Sequence, residues 1–261
     1  MLTNKKKLMK NIFIKLMTVV VCSLLFIACD ADSTTGVSKV TNYPTIEING
    51  ASTLFVPFGG IFSDPGVVAK EAGAVIPTQT NFVGNFRGAK TLDLNQADEY
   101  TETYTATNKD GFKTNATRKV IVYKTGDLIN SIEGVYLSTT KRNGTLLAAS
   151  QGSSVDQKYI YIWKNSNGTY GVSDAFGGWY SIGRKIGITS ATQGGIITGD
   201  ILTNTFTFPV GQLGNQYFGG VANITGLTVN APSKTLVLTT VWTASDGTPY
   251  TFVSTLTQVQ L

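Results

Sequence analysis

"EYTETYTATNKDGFKTNATRKVIVY", residues 99–123, sets two strand-forming runs on either side of a turn. The first run, "EYTETYTAT" (99–107), is rich in Thr and Tyr, and "TRKVIVY" (117–123) closes the stretch. Branched and aromatic side chains of this kind fit a pleated, half-buried surface. Asp110-Gly111 between the runs is a hairpin dipeptide. Towards the N-terminus, "TIEI" (45–48) alternates, "STLFVPF" (52–58) follows and "DPG" (64–66) marks a turn. Short strands over about 80 residues match the size of an immunoglobulin-like sandwich.

Beyond a polar junction, "KTGDLINS" (124–131), the chain is Gly-rich and strand-rich to its end. Runs such as "KYIYIWK", "GGIITGDIL" and "KTLVLTTVWTA" follow one another at short spacing without a long helical period. "WTASDGTPYTF" reads as a closing hairpin around Asp246-Gly247. The expected fold is therefore all-β, an Ig-like β-sandwich followed by a second antiparallel β domain, a lipocalin-like barrel or a sandwich. A barrel-like sheet is favoured, because "EGVYL" at the start of this half and the terminal hairpin are placed to pair and close it.

The N-terminus gives an address. Lys5, Lys6, Lys7, Lys10 and Lys15 lead into the apolar "LMTVVVCSLLFIA", a run of about 13 residues, whereas a membrane span needs roughly 20. "FIAC" (26–29) resembles the bacterial lipobox, with Phe26 in place of the preferred Leu, and implies cleavage before Cys29 and lipidation of Cys29. Residues 1–28 are then a lipoprotein signal peptide and 29–42 a polar tether. Residues 43–123 form the Ig-like sandwich, 124–131 a linker and 132–261 the C-terminal β domain. Acidic residues just after Cys29 resemble the surface-export signals of Bacteroidota lipoproteins, which implies an outer-membrane anchor facing the cell exterior. "DST" (32–34) resembles the short O-glycosylation motif of the same phylum.

The leader also explains the basic isoelectric point of 9.1. It carries five of the 21 basic residues and none of the 16 acids, so the mature chain has 16 of each sign. Nucleic-acid binding loses its electrostatic footprint. Cys22 leaves with the leader, so Cys29 is the one mature cysteine and no intrachain disulfide is available.

"YPTIEING", "FSDPGVVA", "YTETYTATNKDG" and "RKVIVY" stand in the order found in a bacterial Ig-like family also attached to pesticidal crystal toxins. The likeness covers about residues 43 to 123 and implies a spacer or adhesion module without catalytic residues. Where that family has Asp-Gly-Asn, this chain has Asn108-Lys109-Asp110-Gly111-Phe112, so no calcium or ligand role carries over to this turn. "IEGVY" (132–136), "VSDAFGGWYSIGR" (172–184) and "YTFVSTLTQ" (250–258) resemble the domain that follows the same module in Bacteroidota lipoproteins, many linked to polysaccharide-utilisation loci. That resemblance implies a glycan-binding accessory role, with outer-membrane transport proteins as partners.

Catalysis finds little purchase. The chain has no His, which excludes Ser-His-Asp and Cys-His catalysis and nearly all zinc sites. Asp127, Glu133, Asp156, Asp174, Asp200 and Asp246 are scarce, several stand beside Gly or Ser, and they read as solvated turn residues rather than a glycosidase pair. "DLNQADE" (93–99) lacks the Gly and spaced Glu of an EF-hand loop and reads as solvated too. No catalytic residue, cofactor or metal is expected.

Aromatic side chains remain, since sugar C–H faces stack on Trp and Tyr. In "KYIYIWK" the period of two sets Tyr159, Tyr161 and Trp163 on one face and Ile160 and Ile162 on the core face. The aromatic face is a platform or the inside of a second layer. Gly177 and Gly178 either aim Trp179 and Tyr180 at a rim or fold both rings into a packed corner. Trp242 shares parity with Leu236 and Leu238 and reads as core. The candidate carbohydrate-binding residues are Trp179, Tyr180 and Trp163, for an extended glycan; a structural or adhesion lipoprotein without a sugar site is the alternative.

Overall fold

A computed structural model describes residues 40–147 and 157–261. The expected signal peptide, Cys29 and most of the expected tether lie outside the described residues, as does Asp156. Residues 43–261 form one compact unit.

Seven strands build its first half: β1 (Thr45–Ile48), β2 (Thr53–Pro57), β3 (Val67–Glu71), β4 (Ala74–Ile76), β5 (Thr78–Gly84), β6 (Asp98–Thr107) and β7 (Lys113–Tyr123). They make two sheets, β1-β3-β4 and β2-β7-β6-β5, in which only β2 and β7 run parallel. Along β6 the threonines face outward while Tyr100, Glu102, Tyr104 and Ala106 are buried. Val56, Tyr100, Val120 and Val122 form the core, with Phe62 and Phe82 packed against it. The turn between β6 and β7 is held by Asn108, whose side-chain oxygen accepts the N–H groups of Asp110 and Phe112.

No disulfide ties the two sheets. Arg118 on β7 is 1% exposed and donates to the carbonyls of Ala51 (3.2 Å), Asn49 (2.5 Å) and Gly66 (3.3 Å). It also donates to Tyr104 Oη at 2.9 Å and forms an ion pair with Asp64 of the "DPG" turn. Tyr104 in turn donates to Asp64 at 2.6 Å. One guanidinium thereby joins the β7 strand to two of the three connections that carry the chain between sheets, β1 to β2 and β2 to β3.

The second half contains β8 (Gly134–Arg142), β9 (Thr145–Leu146), β10 (Gln157–Lys164), β11 (Tyr170–Val172), β12 (Gly195–Asp200), β13 (Thr205–Thr207), β14 (Leu213–Gly214), β15 (Val221–Asn230), β16 (Thr235–Thr243) and β17 (Pro249–Gln258). All pairings are antiparallel, in the order β13-β12-β11-β10-β8-β17-β16-β15-β14, with β9 beside β8. First and last long strands do pair, Ser138 opposite Leu256, and the Asp246-Gly247 turn joins β16 to β17. Closure nevertheless fails: among the described residues β13 and β14 end the path unpaired with each other. The sheet is a curled antiparallel half-barrel with open edges, the barrel-like form favoured for this half.

Its hollow is filled by the chain between β11 and β12, which includes a π-helical turn, Trp179–Gly183, and a 3-10 turn, Ile188–Ser190. Phe176, Trp179 and Tyr180 of this plug join Ile160, Leu236, Leu238, Trp242 and Phe252 in one core.

The expected linker is not a free one. Asp127 accepts the N–H groups of Ile129, Asn130 and Ser131, Gly126 N–H donates to Glu133 O, and Leu128 is 1% exposed in the second core. A third cluster joins the halves: Ile121, Val135 and Tyr161 are buried together, with Phe55, Phe86 and Tyr159 against them. The aromatic face of β10 is thus the inside of a second layer.

Candidate functional site

Each of the three candidate aromatics occupies a different environment. Gly177 and Gly178 take φ of +60° and +84°, and a Cβ at Gly177 would stand 2.0 Å from Ser254 Oγ. The plug therefore lies directly on β8 and β17. Asp174 organises the corner by accepting Phe176 N–H at 2.9 Å, Thr192 N–H at 3.0 Å and Ser181 Oγ–H at 2.7 Å. Phe176 stacks on Phe252 with centroids 4.3 Å apart, and Tyr180 meets Phe218 at 4.5 Å. Arg142 lies 5.3 Å from the Trp179 ring and donates to Tyr180 Oη at 2.9 Å. With 4% and 7% exposure, Trp179 and Tyr180 offer no ring face to a sugar. They are corner residues, because the glycine pair brings the backbone onto the sheet and turns both rings inward.

Trp163, at the end of β10, remains half-buried at the junction of the two halves. One side of its indole lies on Gly171, where a Cβ would come within 2.4 Å of the ring. Its Nε1–H donates to Asn165 Oδ1 at 3.1 Å. Arg87, from the turn after β5, places its guanidinium carbon 5.6 Å from the ring centroid. A groove of about 190 Å³ opens here, lined also by Phe58, Lys124, Glu133 and Lys164. Lys124 and Glu133 pair at 3.0 Å.

The turn that delivers Arg87 is held from below. Asp98, 1% exposed, accepts the N–H groups of Phe86 (3.2 Å), Arg87 (3.0 Å) and Glu99 (2.8 Å). Burial pushes its carboxyl up to about 6, against the lowering effect of these bonds. Asp98 and its neighbour Glu99 are strand residues in the protein interior, not the solvated loop expected from "DLNQADE".

A second cleft, of about 210 Å³, lies between Asn85, Glu99 and Lys119 of the first half and Tyr159, Asp174 and Ile188 of the second. Its polar groups serve one another. Glu99 accepts from Asn85 Nδ2 (2.9 Å), Tyr161 Oη (2.5 Å) and Lys119 Nζ (2.8 Å). Asp174 is buried with its three donors, and desolvation pushes it up to about 6. Asp174 and Glu133, at 2% and 6% exposure, are therefore structural and not solvated turn acids. Among the described residues no three His, Cys, Asp or Glu side chains group as a metal site.

Arg87 and Lys164 were not visible as site residues in the sequence. The parity of "KYIYIWK" found Trp163, but nothing local to Arg87 signals a partner on a strand of the other half.

Residues 46–122 match the family model of a bacterial surface protein Ig-like domain. Residues 125–258, half of the chain, match the model of a C-terminal-domain family. The crystal structure of the lipoprotein BT2262 from Bacteroides thetaiotaomicron aligns with a TM-score of 0.60 at 23% identity, over 83% of this chain and all of that one. This likeness is one of fold. No curated protein matches the chain.

Proposed function

Because the chain belongs to the family defined by this C-terminal domain, here preceded by a bacterial surface Ig-like domain, we propose that it is a non-catalytic surface lipoprotein of the outer membrane that binds an extended glycan at the junction of its domains. Its leader and "FIAC" boundary support anchoring through diacylated Cys29, with the junction displayed to the cell exterior. The fold it shares with a Bacteroides lipoprotein is in keeping with that address. One observation carries the binding role: Trp163 keeps part of its ring in an open groove, beside the amide of Asn165 and the guanidinium of Arg87. An amphipathic ring flanked by hydrogen-bonding groups is the chemistry a sugar needs. Absence of His and the mutual pairing of Glu99, Lys119, Lys124 and Glu133 support a role without catalysis.

The test is a glycan array on the soluble chain beginning at Asp30, followed by calorimetry. Trp163→Ala should weaken binding by about 1 to 3 kcal/mol, as loss of an interface anchor does. An array with no bound glycan, or a variant that binds as the wild type does, overturns the role. Burial of Trp179 and Tyr180 favours a second reading, a structural or adhesion lipoprotein that contacts other proteins, outer-membrane transport proteins among them. An empty array together with capture of a defined protein partner by the intact lipoprotein would select it.

A further inference from the structure

We infer that the Trp163 groove takes an acidic saccharide, one whose uronate carboxylate meets Arg87. This rests on the glycan-binding role proposed above. Beyond the leader the chain has as many acids as bases, yet the groove sets Arg87 and Lys124 against Glu133 alone. Lys124 and Glu133 neutralise each other at 3.0 Å. Arg87 forms no ion pair among the described residues. Lys164 stands in register with Tyr170 and holds its ammonium 5.9 Å from that ring, on the face of β10 away from Trp163, so Arg87 is the cation left beside the indole.

Arg87 is built to present its charge. The indole of Trp163 lies 5.6 Å from the guanidinium carbon, Ala97 O accepts from Nη1 at 3.3 Å, and Asp98 fixes the backbone N–H of the same residue. These contacts position the fork and leave further N–H donors for a ligand, since a guanidinium has five. Asp98 is the nearest counter-charge, but its carboxylate is buried beneath the turn and engaged by three backbone N–H groups. A planar guanidinium fork matches a carboxylate better than it matches a hydroxyl, and charge-assisted bonds are roughly twice as strong as neutral ones. A neutral sugar would leave the free N–H donors of Arg87 without a charged partner.

The probes are oligomers of galacturonate, glucuronate and mannuronate, each beside its methyl ester, which keeps the ring and removes the charge. Calorimetry on the soluble chain from Asp30 should find at least one free uronate oligomer bound about tenfold more tightly than its ester. Arg87→Gln should bring the two to near equality. Raising the salt should also weaken the wild type's hold on the acid and not on the ester. If Arg87→Gln fails to fold, the wild type's preference for acid over ester and its salt series decide the matter. Neutral glycans bound through Trp163 as tightly as acidic ones would overturn the acidic preference while leaving the glycan-binding role intact. Binding of none of these saccharides, with nothing bound on the array, overturns both.

Discussion

At Gly177 a Cβ would meet Ser254 Oγ at 2.0 Å and Thr140 Oγ1 at 2.6 Å, and the backbone sits at φ +60°. Steric overlap and left-handed strain act together there, so Gly177→Ala should cost about 3 kcal/mol or more in chemical denaturation. The Gly-Gly pair announced a sharp corner in the sequence, but its direction depends on Ser254 and Thr140, which lie on strands far along the chain. The same corner decides Trp179, whose truncation to Ala should cost roughly 3 to 5 kcal/mol of stability, as for other buried aromatics. A thermal midpoint unchanged by Trp179→Ala would contradict the packing around Phe252. Asp174 adds a pH dependence. Burial raises its carboxyl from 3.8 to about 6, so between those values the folded chain holds a proton that the unfolded chain has released. Stability therefore falls as pH rises across that window and levels off above it. Asp98, pushed up in the same way, contributes with the same sign. Asp174→Asn should make the fall in midpoint from pH 4 to pH 6 shallower than in the wild type, and an unchanged slope would count against a buried, titrating Asp174.

At the scale of elements, alternation was readable wherever one face of a strand met a core. Ile160 and Ile162 of β10 face the half-barrel core, and Trp242 is buried with Leu236 and Leu238, as parity requires. Parity could not say what covers the other face of β10, because Phe55, Phe86 and Glu99 come from the preceding domain. The curl of the sheet was equally hidden: pairing of β8 with β17 was visible from strand positions, whereas the open ends at β13 and β14 depend on how far each edge reaches. Strand β7 shows period overriding charge. Arg118 shares parity with Val120 and Val122, and it is buried because Asp64, Tyr104 and three carbonyls receive its donors. Removing one member of such a buried set leaves the others uncompensated, so Arg118→Ala should destabilise by about 3 to 5 kcal/mol. Glu102, buried 3.8 Å from the guanidinium, would share the loss. A cost near that of an exposed ion pair, below about 1 kcal/mol, would refute the staple.

For the whole molecule the question is whether the two halves unfold together. A polar, Gly-containing stretch at 124–131 suggests in sequence a loose joint with few contacts across it. The fold supplies what composition could not: Asp127 caps the turn, Leu128 enters the second core, and Gln258 Nε2 donates to Gly126 O at 2.9 Å from the last strand. Across the joint, Tyr161 is 5% exposed, its hydroxyl donates to Glu99 at 2.5 Å, and its ring meets Phe86 at 5.6 Å. Separating the halves would expose this aromatic cluster and take the Tyr161 donor from Glu99, which keeps only Lys119 and Asn85 of its own half. Loss of a buried apolar cluster weighs heavily on domains whose own margins are each only about 5 to 15 kcal/mol. Calorimetry of the soluble chain should therefore show one transition, and limited proteolysis should leave 124–131 uncut. Tyr161→Ala removes the central ring and the bond to Glu99 together, at a cost of roughly 3 to 5 kcal/mol. That loss should fall on the coupling, splitting the single transition into two and opening the joint to protease. Two transitions already present in the wild type would mean that the shared cluster does not hold the domains together.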